Sequence, residues 1–336
     1  MSENKPRPVR FAIVGSNFIT EKFLAAAPQS PGFVLDTFYS RSPDRAREFA
    51  ARFGAPHAES DWQRLLASDT VDAVYLATPN ACHAQQACAL LAAGKHVLCE
   101  KPAARSAVEL EQMLGAAQTA GRVLMEAMRP AHLPALAALR EGLARVGTVR
   151  HVSLSYCQYS SRYDKFKNGI LENAFRPELG NGALMDIGVY CVNLALLLFG
   201  APRRILAAGS FLPGAIDACG SAVWAYDGFE AVLSYSKVHQ SNVPGAVEGE
   251  NGTLFLEPVP VPAKIWFEAR GGGRELVFDA REEEHDMRFE LDDFLAAVGG
   301  RLDPAPWQQL SRTAARCLDE MRAQIGIDFA PGARQG

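Results

Sequence analysis

The segment Val9–Val14 constrains this chain more than any other: an apolar, β-branched run that passes straight into Gly15-Ser16-Asn17-Phe18-Ile19-Thr20 and then into a helix-forming stretch. Strand, glycine turn and helix in that order is how a parallel sheet presents a helix N-terminus to a pyrophosphate. The alternation recurs. Apolar runs at Phe33–Tyr39, Ala73–Ala77, His96–Cys99 and Val123–Met125 are separated by Ala/Leu-rich segments of helical period. Short runs without in/out alternation predict strands buried on both faces, hence a doubly wound α/β sheet with crossover helices. Ser42-Pro43-Asp44 supplies an N-cap, a first-turn proline and an acid for a helix to about Phe53. Ser106-Ala107-Val108-Glu109 is a capping box before a helix over Leu110–Ala120, stopped by Gly121.

After about Glu126 the rhythm changes to longer strand-like stretches at His151–Tyr159, Ile205–Phe211, Glu230–Lys237 and Thr253–Leu256, with single helices between them. This predicts a second α+β domain on a large, open, mostly antiparallel sheet, and a division at 1–126 and 127–336. At 336 residues, two domains are what the length allows. Asn251-Gly252 has the residues of a tight hairpin turn. Pro258, Pro260 and Pro262 remove three backbone donors, so that segment is expected at an edge or in a connection.

With 34 Lys+Arg against 38 Asp+Glu, a net charge of −4, the chain has no basic stripe for nucleic acid and no polybasic arm for a membrane. The first eight residues lack the apolar core of a secretory signal, and runs such as Val192–Phe199 are too short to span a bilayer. Seven cysteines, an odd number with no C-x-x-C pair and no Cys/His cluster at zinc spacing, predict free thiols, no metal and a reducing cytoplasm. Glu282–Glu284 reads as a solvated face and not as a metal site.

Of the G-x-G-x-x-G/A pattern only Gly15 remains, so the turn alone is also compatible with an ordinary βα connection. Asn17 tolerates positive φ, and Ser16, Asn17 and Thr20 could bond phosphate oxygens. At the end of the second strand, where an NAD site would carry an acid for the ribose 2′-hydroxyl, this chain has Ser40 and Arg41. A guanidinium fork suits a 2′-phosphate, so NADP is expected over NAD, with Asp36 the one residue that complicates the assignment. Thr78-Pro79-Asn80-Ala81-Cys82-His83 and Glu100-Lys101-Pro102 follow the third and fourth strands at the edge where open α/β sheets bind ligands. The Lys101 ammonium could polarise a substrate oxygen and the Glu100 carboxylate could accept from a ribose hydroxyl. Farther on, Asp186, Tyr190 and Asn193 fall at i, i+4 and i+7. Spacing leaves two readings open there, a functional face or an N-capping Asp with a core tyrosine. A Tyr beside an ammonium is competent to move a proton, which makes Lys101 the partner to look for.

Together these residues resemble the glucose-fructose oxidoreductase / inositol dehydrogenase / MocA family. Glu100-Lys101-Pro102 is similar to its E-K-P signature, Thr78-Pro79 with His83 to its T-P-x-x-x-H segment, and Gly182–Tyr190 to its second-domain helix entry. The Asp-Ile-Gly-x-Tyr-Cys form and Tyr235-Ser236-Lys237 are similar to the dimeric dihydrodiol dehydrogenase branch. Family members often carry His at Tyr190 and Asp at Asn193, so the Tyr form points to a subgroup. The resemblance implies a Rossmann domain followed by an open-sheet domain, with Lys101, Asp186 and Tyr190 as catalytic positions. It implies a cofactor pocket from Gly15, Ser16, Asn17, Phe18, Ile19, Ser40, Arg41, Thr78, Pro79, Asn80, His83, Glu100 and Lys101. Met128 and Arg129 are weaker candidates there, with core packing and a surface charge as the alternatives. The expected activity is reversible hydride transfer between NADP(H) and a secondary alcohol or hemiacetal carbon of a sugar, cyclic polyol or dihydrodiol. The rival is a nucleotide-binding sensor without turnover. A homo-oligomer through the second sheet is also expected. Substrate specificity is expected in second-domain loops such as the 159–173 segment, where Tyr163, Lys165 and Lys167 could contact a polyol or simply be solvated.

Overall fold

The computed structural model describes residues 7–280 and 286–329, which form two compact units. The Glu282–Glu284 run lies outside the described residues.

The first unit holds a six-stranded sheet of β1 (Val9–Val14), β2 (Phe33–Tyr39), β3 (His57–Glu59), β4 (Ala73–Leu76), β5 (His96–Glu100) and β6 (Leu124–Ala127). Their order is β3-β2-β1-β4-β5-β6 and every pairing is parallel. This is the doubly wound order, with its switch point between β1 and β4. The Pro43–Phe53 helix begins and ends where the sequence predicts: Ser42 Oγ accepts from Arg45 N at 3.4 Å, and Gly54 closes it at φ +75. Phe11, Phe23, Phe38 and Tyr75 fill the interior, with Phe23 stacked on Tyr75 at 3.8 Å. The helix Met287–Val298 also belongs here, burying Leu291 and Phe294 in the same core, with Phe294 5.9 Å from Phe11. The expected division at 126/127 is therefore crossed: the chain returns to the first unit late, because this sheet has apolar surface that its own crossover helices do not fill.

The second unit is built on β7 (Val149–Cys157), β8 (Arg204–Leu212), β9 (Ile216–Ala225), β10 (Glu230–Ser236), β11 (Gly245–Gly249), β12 (Gly252–Glu257), β13 (Lys264–Ala269) and β14 (Arg274–Asp279). The order is β14-β13-β12-β11-β7-β10-β9-β8, antiparallel everywhere except β7 with β10. The helix Ala135–Arg145 and the helical run ending at Phe199 cover it. Close approach demands glycine at two of these contacts: a Cβ on Gly142 would meet Leu254 Cδ1 at 2.6 Å, and one on Gly188 would meet the Tyr235 ring at 3.0 Å.

Asn251-Gly252 is displaced by one residue from the expected turn. Glu250 and Asn251 make the connection, while Gly252 already pairs with Gly249 as the first residue of β12. Its Cβ would lie 2.3 Å from Glu268 O on β13, so the glycine answers to the neighbouring strand and not to the turn. Pro258–Pro262 connects β12 to β13 as expected. Among the described residues one helical run, Pro177–Phe199, is long and apolar enough to cross a membrane; 78 % of its most apolar window is buried inside the protein, as befits a core helix. It exceeds the apolar run read from the sequence because a π turn, Leu184–Gly188, joins the helix Val189–Phe199. All seven cysteines are free, and no metal-ligating cluster occurs among the described residues.

Candidate active site

The glycine turn after β1 is built by contacts with the end of β4. Gly15 has φ +121, and a Cβ there would fall 2.3 Å from Ala77 O. Asn17 is extended (φ −122, ψ 178) and not at positive φ, so the expected reason for an Asn at this position is replaced by another. Its Oδ1 accepts from Ile19 N at 3.0 Å and Thr20 N at 3.2 Å, capping the Phe18–Ala26 helix, and its Nδ2 donates to Ala77 O at 2.9 Å. Thr20 is fully buried and donates to Gly15 O at 3.0 Å. Asn17 and Thr20 thus hold the turn in shape in place of the missing glycines. Phe18 stands 57 % exposed at the helix start.

At the end of β2, Ser40 N donates to Glu59 O at 3.1 Å and Ser40 Oγ accepts from Ser42 N. Arg41 is exposed, and no carboxylate pairs with it among the described residues. Asp36 is buried, its Oδ1 accepting from Thr37 Oγ1 at 2.7 Å and Thr70 Oγ1 at 3.0 Å. Those bonds remove the one acid that could have competed for a ribose. A residue not anticipated from the sequence, Arg45, donates to Ser16 O at 3.2 Å and brings a second guanidinium beside the turn. Its signal was legible only as a position in the first turn of the next helix.

His83 is fully buried, with Nε2 2.8 Å from Thr78 O and Nδ1 3.0 Å from Pro102 O. Burial lowers its pKa, so the ring is neutral and donates to one of these carbonyls at a time. It clips the loop after β4 to the loop after β5 and has no surface for a ligand. That clip is the physical reason for the pairing of T-P-x-x-x-H with E-K-P. Thr78 Oγ1 donates to Gln86 at 2.6 Å, and Pro79 and Asn80 open the helix Asn80–Ala92.

Glu100 turns inward. Its Oε1 accepts from Tyr75 OH at 2.5 Å and its Oε2 from Lys101 N at 3.1 Å. Beneath it lies Glu290 of the Met287–Val298 helix, fully buried with neither oxygen hydrogen-bonded among the described residues. Burial first, then the Glu100 charge, raise Glu290 well above the usual carboxyl range, so it holds its proton at neutral pH. Arg129 pairs with Asp286 at 2.9 Å, and Met128 is buried. Because the folded state holds the Glu290 proton more tightly than the unfolded chain, this group's contribution is fully present below the unfolded carboxyl range and is lost as pH rises towards its folded value. Glu290→Gln is therefore expected to melt at a higher temperature than wild type in alkaline buffer, the gap growing with pH by about 1.4 kcal/mol per unit of raised pKa until it saturates. Calorimetry from pH 6 to 9 checks it; parallel melting curves for the two proteins would refute it.

In the second unit Asp186 lies within the π turn, and its side chain is 37 % exposed. Tyr190, buried at 6 %, packs edge-to-face on Tyr156 at 5.7 Å. Asn193 is fully buried and donates to Val189 O at 2.9 Å, so it belongs to the core and departs from the face shared by spacing. Lys237, unforeseen as a site residue, is buried and reaches Asp186 Oδ2 with Nζ at 2.9 Å. Asp217 accepts from Leu184 N at 2.6 Å, and burial pushes its carboxyl up to about 6. In the 159–173 segment Lys165 pairs with Glu172, Lys167 with Asp164, and Tyr163 stacks with Phe166 and Phe175, so neither lysine is simply solvated. Lys101 belongs to the first unit, and Asp186 and Tyr190 to the second.

Residues 9–128 match the family model for the oxidoreductase family with an NAD-binding Rossmann fold, and residues 137–255 match the Gfo/Idh/MocA C-terminal domain. The chain is 44 % identical over 323 residues to the NADP(+)-dependent scyllo-inositol 2-dehydrogenase IolU of Bacillus subtilis (strain 168), covering 96 % of this chain and 98 % of that one. It is 28 % identical to mouse trans-1,2-dihydrobenzene-1,2-diol dehydrogenase over 97 % of this chain and 99 % of that one. The likeness to the inositol enzyme therefore exceeds the dihydrodiol likeness inferred from local motifs. Among solved structures, KijD10, a 3-ketoreductase from Actinomadura kijaniata crystallised with TDP-benzene and NADP, superposes with a TM-score of 0.82 at 26 % identity, covering 95 % of this chain and 98 % of that one. With both family models matched and such identity carried along almost its whole length, the chain belongs to the Gfo/Idh/MocA family and is an NAD(P)-dependent dehydrogenase of that fold.

Proposed function

We propose that this protein is an NADP-dependent dehydrogenase acting on a ring secondary alcohol of a cyclic polyol or sugar. The observation that carries the reading is the C-terminal edge of the parallel sheet. There the Gly15 turn, an exposed Arg41 with no carboxylate partner among the described residues, and Lys101 follow β1, β2 and β5 respectively. A nicotinamide dinucleotide suits that donor set: the helix N-terminus behind Ser16 and Phe18 for the pyrophosphate, Arg41 for a 2′-phosphate, and Thr78, Pro79 and Asn80 for the nicotinamide end. When bound, NADP⁺ supplies the hydride acceptor. The chain does the rest. Lys101 polarises the substrate oxygen, Tyr190 accepts the hydroxyl proton, and Asp186 orients the substrate beside it. Glu100 acts through Lys101, since its carboxylate is committed to Tyr75 and to the Lys101 amide.

The reading of a cyclic polyol as the first substrate to try is supported by the similarity to the inositol enzyme. A cytoplasmic location fits the seven free thiols. Self-association fits the outer face of the second sheet, where Leu206, Val223 and Val232 pair across β8, β9 and β10 and the first two are 52 % and 39 % exposed.

The test is the initial rate of NADP⁺ reduction, with NAD⁺ in parallel, across inositols, aldoses and trans-dihydrodiols. Turnover with a polyol and NADP⁺ is expected; tight NADPH binding without turnover on any member would favour a sensor. Arg41→Ala should raise the KM for NADP⁺ by about tenfold or more, one charge-assisted contact being worth roughly 1.5–3 kcal/mol, and leave the KM for NAD⁺ unchanged. Equal effects on both cofactors would refute the role of Arg41.

A further inference from the structure

Lys237 is an ammonium enclosed by protein: its side chain is 3 % exposed, on the last turn of chain before the sheet gives way to a loop. Its backbone is fixed on both sides, the amide donating to Ala218 O at 2.9 Å and the carbonyl accepting from Ser160 N at 2.9 Å. Its Nζ donates to Ala174 O at 2.7 Å, stands 5.0 Å from the centre of the Phe175 ring, and meets Asp186 Oδ2 at 2.9 Å. An ammonium taken out of water is tolerated only where anionic and carbonyl oxygens replace its hydration. The chain supplies those oxygens from two separate places, Asp186 at the helix entry and Ala174 in the segment that follows Tyr159, and the charge of Asp217 on β9 acts on the same ammonium from farther away. His239, two residues on, is turned to Ser236 Oγ at 2.9 Å and does not face it.

We propose that Lys237 is the positioning residue of Asp186: its buried ammonium fixes the Asp186 carboxylate and ties to it the substrate-side segment at Ala174 and Phe175. This rests on the reading of Asp186 as part of the active site, which the Lys237 contact deepens. The carboxylate sits on a π turn with more than a third of its side chain exposed, and the buried ammonium meets it at Oδ2. Anchored through Oδ2, it presents one orientation to a substrate hydroxyl. The same ammonium stops the segment carrying Tyr163 and Phe166 from shifting independently of Asp186, because Phe175 stacks on both rings.

Two variants separate this from a purely structural role. Lys237→Gln can still donate to Ala174 O but carries no charge, whereas Lys237→Met removes both. For Lys237→Gln we expect kcat/KM for the polyol to fall by on the order of 10²-fold, the KM for NADP⁺ to stay unchanged, and the acid limb of the pH–rate profile to move to higher pH. Lys237→Met should behave likewise, with a lower melting temperature. A readout that needs no turnover runs beside it: the ¹³C-carboxyl signal of Asp186, assigned by its loss in Asp186→Asn, should titrate at higher pH in Lys237→Gln than in the parent. An unmoved Asp186 titration in folded Lys237→Gln overturns the proposal. So does an unmoved pH profile with unchanged kcat/KM. If the parent turns over no polyol, the proposed function fails, while the carboxyl titration still decides whether Lys237 holds Asp186.

Discussion

Replacing Lys101 by methionine, which keeps the length of the stem and removes the charge, is expected to lower kcat/KM by about 10²–10⁴-fold. The magnitude follows from what an ammonium does at a reacting oxygen. As the hydroxyl gives up its proton, negative charge builds on that oxygen, and a pre-placed cation stabilises it without reorganising. The placement of Lys101 is secured from below, since its amide donates to Glu100 Oε2 and Glu100 Oε1 accepts a hydrogen bond from the hydroxyl of buried Tyr75. Nothing in the methionine variant should disturb those bonds, so NADPH affinity, read by fluorescence titration, should stay within about tenfold and separate binding from chemistry. Activity within about tenfold of wild type would show that Lys101 is not the electrophile.

Gly15→Ala should lower the free energy of unfolding by about 2–4 kcal/mol and abolish measurable NADPH binding. Two effects add. At φ +121 an L side chain is strained, and a Cβ at 2.3 Å from Ala77 O and 2.7 Å from Ala77 C cannot be accommodated by a rotamer change, because both atoms are backbone. The turn must move away from β4, which breaks the Asn17 Nδ2 bond to Ala77 O and with it the cap on the helix start. Gly54→Ala is the control: φ is +75, nothing lies within 4 Å of the added carbon, and the loss should be about 1–2 kcal/mol with cofactor binding intact. Urea unfolding together with NADPH titration of both variants checks this; equal effects would mean that close approach to Ala77 is unimportant.

Much of the first unit could be read in advance because its strands are buried on both faces and declare themselves as unbroken apolar runs. Val9–Val14 and Phe33–Tyr39 agree to the residue. His57–Glu59 escaped notice: it is a three-residue edge strand with two exposed side chains, so it has no hydrophobic period to detect. In the second unit Ile216–Ala225 and Arg274–Asp279 were equally hard to see, the former interrupted by Gly220 and Ser221, the latter largely exposed. The catalytic candidates were visible as motifs, but the groups that hold them were not. Lys237 reaches a carbonyl 63 residues away and Asp217 an amide 33 residues away. His83 shows the converse. Its place in a motif invited a ligand role, whereas its two carbonyl partners make it a clip between loops.

The late return of Met287–Val298 to the first unit also bears on how the chain can be made. Leu291 and Phe294 complete an interior whose other walls come from the opening hundred or so residues. During synthesis the first sheet must wait, with Phe11 and its neighbours uncovered, until nearly the whole second unit has left the ribosome. The nucleotide-binding unit therefore reaches its native interior only near the end of translation, and the second unit waits longer still, for the chain from Leu310 onwards that packs on its sheet.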